Sequence, residues 1–78
     1  MKFTQWIEGR PANEDMVNGY MDGYDLTAPA PSANRSESYK HGFKVGRGEK
    51  TGHLAGNHES LSREADAAMD ADDRRALQ

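Results

Sequence analysis

One short motif occurs twice in this chain and restricts its folding more than any other feature. Gly19-Tyr20-Met21-Asp22-Gly23 and Gly42-Phe43-Lys44-Val45-Gly46 share the pattern Gly-aromatic-x-x-Gly, 23 residues apart. Glycines four apart fall on one face of a helix, yet each costs about 1 kcal/mol relative to Ala in a helix interior. The cost makes sense where another backbone must come close at that face. The motif predicts two helices packed through their glycines, each aromatic ring lying over the bare backbone of the partner.

The flanking residues supply starts and stops. Asn13 can cap a helix, and Glu14 and Asp15 sit in its first turn, where carboxylates suit the positive end of the dipole. Met16, Tyr20 and Tyr24 then recur every fourth residue, with Val17 and Met21 widening the stripe, which predicts a helix over about 14–25. A second helix is expected over about 36–47, capped by Asn34 or Ser36, with Asn34 and Glu37 spaced as a capping box. Tyr39 and Phe43 form its stripe, Val45 flanks them, and Gly46 and Gly48 are expected to end it. Met16, Gly19, Tyr20, Gly23, Tyr24, Gly42, Phe43 and Gly46 are the expected core. Between the helices, Pro29 and Pro31 forbid helix and favour an extended path over residues 25–35.

The ends read differently. Phe3, Trp6 and Ile7 are spaced for one helical turn, with Trp6 as a lid on the core. Residues 51–58 form a Gly-rich loop. From 59 to 78 the chain is acidic and Ala-rich, with helix-spaced pairs Glu59/Arg63 and Asp70/Arg74. Its apolar stripe of Leu61, Ala65, Ala68, Met69 and Ala76 is thin, which suits a weakly packed helix, a partner-binding tail or a fraying end. The whole is all-α: a single small domain over 1–50 with a two-helix, hairpin-like core and an extended Pro-rich linker, followed by a C-terminal helix.

Charge is segmented. The net −3 of the 78 residues resolves into −3 over 1–33, +3 over 34–50 and −3 over 51–78. The central island carries Arg35, Lys40, Lys44, Arg47 and Lys50 against Glu37 and Glu49. Lys40, Lys44 and Arg47 are spaced to share one helix face, with Tyr39 and Phe43 beside it. Arg35, Tyr39, Lys40, Lys44 and Arg47 are therefore the candidate binding residues, for RNA phosphate and bases or for an acidic protein surface. There is no cysteine, which suits a cytoplasmic setting. No run of about 18 apolar residues could span a membrane, and the N-terminus has no apolar signal region.

Catalytic and metal signals are sparse. His41, His53 and His58 lack the ligand spacing of a metal centre. The run Gly46-Arg47-Gly48-Glu49-Lys50-Thr51 has Glu49 where a phosphate loop needs Gly, and no strand leads into it. No nucleophile is placed beside a base. A non-enzymatic protein without cofactor or metal is expected.

The glycine repeat, the Pro-rich linker, Asn34-Arg35-Ser36, Tyr39 and Arg47 together resemble the ribosome modulation factor family and its small plasmid-borne relatives linked to ciprofloxacin resistance. The likeness covers about residues 16–49. It implies two short helices joined by an extended linker, with Gly19, Tyr20, Gly23, Gly42, Phe43 and Gly46 as scaffold. It also implies a basic surface facing ribosomal RNA, with Arg35, Lys40, Lys44 and Arg47 as its counterparts, and a role in silencing ribosomes by dimerising them. The plasmid-borne relatives imply phosphotransfer. The family's ribosome binder is strongly basic, whereas this chain has a pI near 5.5. The reading taken forward is a cytoplasmic regulatory adaptor or inhibitor of bacterial or phage type that docks on a larger protein or ribonucleoprotein. Ribosomal RNA binding and phosphotransfer are the alternatives, and self-association is compatible with each.

Overall fold

The structure is a computed structural model that describes residues 12–54 and 56–77. Phe3, Trp6 and Ile7, and with them the Trp6 lid, lie outside the described residues. The described residues form α1 (Glu14–Tyr24), α2 (Glu37–Thr51) and α3 (His58–Ala76). The all-α class, the close helix pair, the linker and the third helix are all present. α2 is the shared element, with α1 packed closely on one side and α3 on another.

The glycines bring α1 and α2 into backbone contact. A Cβ added at Gly19 would lie under 3.0 Å from the Tyr39 carbonyl, and one at Gly42 equally close to that of Met16. Gly23 faces the Phe43 carbonyl in the same way, and Gly46 that of Tyr20. Carbonyl oxygens, and not aromatic rings, therefore occupy the bare faces. The rings lie elsewhere: Arg35 covers Tyr39 at 4.2 Å and Arg47 covers Phe43 at 4.8 Å. Such close approach favours weak Cα–H···O contacts between the helices.

These contacts also fix the direction of the pair. As α1 advances from Gly19 to Gly23, its partner carbonyl advances from Tyr39 to Phe43. The helices run parallel, and residue i of α1 plays the part of residue i+23 of α2. Gly19 on Tyr39 is mirrored by Gly42 on Met16, and Gly23 on Phe43 by Gly46 on Tyr20. The sequence repeat thus becomes a pseudo-twofold axis along the helices. A parallel pair needs a return connection of about 16 Å, at 1.5 Å per residue of α1, which the extended linker supplies.

Caps and ends follow local chemistry. Asn13 Oδ1 accepts from Met16 N at 2.8 Å, as expected. Ser36 caps α2 by accepting from Tyr39 N at 3.1 Å. Asn34 is engaged instead by the Ser32 hydroxyl, at 2.6 Å. α2 does not stop at Gly46 or Gly48 but runs to Thr51 and ends at Gly52, whose φ of 77° needs no Cβ. Gly46 and Gly48 lie inside the helix because neighbours press on both: the Tyr20 backbone on one, His53 and Leu54 on the other.

The core is Met16, Val45, Leu61, Ala65 and Met69, all 2% exposed or less. Val45, read as a flank, is at its centre. Tyr24 leaves the expected core: it is 43% exposed, with its ring tilted against Tyr20 and Lys50 5.4 Å over it. Tyr20 is half-buried, and burial followed by the hydrogen bond to Glu49 pushes its hydroxyl up to about 12.

α3 docks through the thin stripe read from the sequence, with Leu61, Ala65 and Met69 buried, Ala68 half-buried and Ala76 exposed. Polar bonds reinforce it. Asp72 of α3 accepts from Glu37 N at 2.9 Å and Ser38 N at 2.8 Å, satisfying the first turn of α2. Fully buried Ser38 also accepts from Asn13 Nδ2 at 2.9 Å, so one serine ties all three helices. Burial alone would raise the Asp72 carboxyl, but the Ser38 and Glu37 bonds, with Arg75 nearby, hold it below the usual range. Asp72→Asn keeps one acceptor and loses the charge. It is expected to destabilise by about 1 kcal/mol in urea unfolding. Because the folded carboxyl is depressed, its stabilisation is present at neutral pH and is lost as pH falls below the unfolded carboxylate value.

Candidate functional site

Helical phase places Lys40, Lys44 and Arg47 on one face, but the structure divides them. Arg47 turns towards the end of α1. Its Nε donates to the Gly23 carbonyl at 2.7 Å, and its Nη2 to the carbonyls of Asp25 at 3.1 Å and Ala28 at 3.2 Å. These carbonyls belong to the last turn of α1 and the start of the linker. Arg47 is therefore a structural clamp and leaves the expected binding face. A planar guanidinium suits three carbonyls at once because its donors form a rigid fork.

Lys40 and Lys44 face α3. Lys40 pairs with Glu37 at 3.3 Å within α2, and Lys44 pairs with Glu64 of α3 at 2.7 Å. All four side chains are a third to a half exposed, so each pair contributes little to stability and stays open to exchange. Below them runs an open groove of about 480 Å³ between α2 and α3. Its α3 wall is Ala67, Ala68 and Ala71, and its α2 wall is Lys40, His41 and Lys44. The Lys44–Glu64 hold favours the charged Glu64 carboxylate and keeps it below its ordinary range.

Arg35 and Tyr39 lie at a separate place. Tyr39 is buried and donates its hydroxyl to Asp22 of α1, a bond that raises the phenol above its ordinary range. The exposed Arg35 guanidinium covers the ring. Together with Pro29 and Pro31 they line a cleft of about 320 Å³ under the linker. Tyr39 is thus a bridge between the helices, with only its Arg35 cover presented outward.

The groove residues Ala67, Ala71, Glu64 and His41 were missed as site residues in the sequence. The signal for His41 was there: Ser38, His41 and Val45 are spaced i, i+3, i+7, and all three are buried. That spacing marks a second buried face of α2, distinct from its glycine face. The α3 alanines carry no such signal, because a groove wall and a solvated helix use the same residue.

Chemically, the groove offers paired charges over a small apolar wall. Among the described residues, no three His, Asp or Glu side chains are grouped to hold a metal ion. Among the same residues, no helix is long and apolar enough to cross a membrane. The chain matches no family model, no curated protein and no solved structure.

Proposed function

We propose that this chain is a small non-enzymatic regulatory protein, acting in the cytoplasm as an adaptor or inhibitor, that docks on a larger protein through the α2–α3 groove. The observation that carries the reading is the groove itself: a shallow open trough, walled by alanines and bordered by exchangeable Lys–Glu pairs. Such a surface suits a protruding segment of a protein partner with mixed charge. The internal use of Arg47 weighs against ribosomal RNA as the partner, because it removes one of the four cations that the resemblance assigns to phosphate contact.

The test is stoichiometric capture of a partner from the source cells by wild type, by Lys40→Gln with Lys44→Gln, and by Ala67→Trp. Wild type is expected to recover one partner. Recovery should fall at least about tenfold when the rim charges are removed, a loss of about 1.4 kcal/mol. It should fall likewise when Trp fills the trough from an exposed position. Recovery of no stoichiometric partner, or equal recovery by all three, overturns the reading. Co-sedimentation with ribosomal subunits that disappears steeply with salt would assign the surface to RNA instead.

A further inference from the structure

His41 is a titratable group that the reading above does not use. It projects from α2 into the α3 junction, 7% exposed, and its Nε2 is buried without a hydrogen-bond partner. The Leu61 backbone of α3 lies near the ring and favours its charged form weakly. Leu61 is also one of the three α3 side chains that complete the core. The imidazole therefore sits where α3 holds to the helix pair, with Nε2 buried and unpartnered.

We propose that this junction is an acid-opened latch: protonation of His41 undocks α3 and uncovers Leu61, Ala65 and Met69. The geometry explains why a proton is disruptive here. A second N–H at Nε2 would be a buried donor without an acceptor, on a ring that also becomes a buried cation. The charges around it do not relieve this. Lys44 of α2 repels a charged imidazole, and Lys40 and Glu37 along the same groove are paired with each other. Glu64 of α3 attracts it, but its Oε1 is held by Lys44 at 2.7 Å. Burial first and then Lys44 depress the His41 basicity below its ordinary value, with Glu64 and the Leu61 backbone opposing.

The sign follows from linkage. A histidine whose folded-state pKa is lowered stabilises the docked form fully above its unfolded value, about 6.5. That stabilisation declines as pH falls below it. The α1–α2 pair is held mainly by glycine-to-backbone contacts that do not titrate, so protonation of His41 acts on α3. Asp72 adds to the effect only in stronger acid, because its carboxyl titrates below the ordinary range. Opening would also remove one wall of the groove. The latch stands whether or not the groove binds a partner.

The chain has no cysteine, so spin labels at Asn18→Cys on α1 and Arg74→Cys on α3, both exposed, report the separation of α3 from the helix pair. Pulsed electron resonance on the full chain is expected to give one short distance at pH 7.5. A longer, broader distance should grow in between pH 6.5 and 5, the ratio of open to closed rising up to about tenfold per pH unit. His41→Phe and His41→Gln in the same labelled chain are expected to stay closed at pH 5.5. A wild-type distance unchanged down to pH 5 overturns the latch. So does opening of either variant over the same pH range as wild type, since a group other than His41 would then be responsible.

Discussion

Gly42→Ala is expected to lower the stability of the folded chain by about 3 kcal/mol, although alanine is the better helix former. Propensity alone gives a gain of about 1 kcal/mol for this change in a helix interior. Packing opposes it and is the larger effect. The new methyl would lie under 3.0 Å from the Met16 carbonyl, and that carbonyl is backbone inside α1, with no rotamer to yield. The helices must separate along their length, which also loosens the three glycine contacts that were not mutated. Gly19→Ala is expected to cost a similar amount, because its pseudo-symmetric contact with Tyr39 is the same. Urea unfolding followed by circular dichroism reads both, with Asn18→Ala on the exposed face of α1 as the control that should gain slightly. A gain in stability for Gly42→Ala would show that the helices do not meet backbone to backbone.

Arg47→Ala is expected to cost about 2 kcal/mol, the second largest effect. Hydrogen bonds from a charged group contribute about 1.5–3 kcal/mol where they are buried, and less where water reaches them. Arg47 is half-buried and serves three carbonyls, while its guanidinium covers Phe43. Removing it leaves the end of α1 and the turn at Asp25–Ala28 without their shared donor. Arg47→Lys should recover less than half of the loss, because a single ammonium cannot reach three carbonyls in a plane. The check is urea unfolding together with amide exchange, in which protection at the Ala28 N–H should fall most. That amide bonds to the Asp25 carbonyl at 3.0 Å, beside the clamp. An Arg47→Ala chain of undiminished stability that failed to capture its partner would return Arg47 to the binding surface.

Much of the frame was legible from residue type and spacing. The glycine repeat announced a close helix pair because a glycine in mid-helix has few other uses. Asn13 and the Pro29–Pro31 linker were equally plain, since caps and prolines act through local stereochemistry. Helix direction was not legible: glycine spacing of four is the same for parallel and antiparallel pairs. The end of α2 was misread because Gly46 and Gly48 look like terminators locally, and only the neighbours that press on them show otherwise. The basic face was half legible. Phase put Lys40, Lys44 and Arg47 together, but long side chains choose among neighbours, and Arg47 found carbonyls from residues 19 to 24 positions away. The groove was illegible for a related reason, as it is a gap between elements and no residue encodes it alone.

The parallel arrangement also governs how the chain can reach this fold. In an antiparallel pair, contacts begin beside the turn and zip outward, each closing a loop only slightly longer than the last. Here every glycine contact between α1 and α2 joins residues 20 to 26 positions apart, from Gly19–Tyr39 to Gly42–Met16. No contact in the set is local enough to form first. Loop closure opposes the first of them in full and the rest hardly at all, since its entropy grows only with the logarithm of loop length. Once the first of these contacts is closed, the rest of the α1–α2 seam follows at little further entropic cost. A helical protein of this size ordinarily folds through local contacts and does so quickly. Here α2 and α3 meet from Gly48–Leu54 outward in that way, whereas the α1–α2 pair has the contact separation of a crossover topology and depends on the linker as much as on its helices.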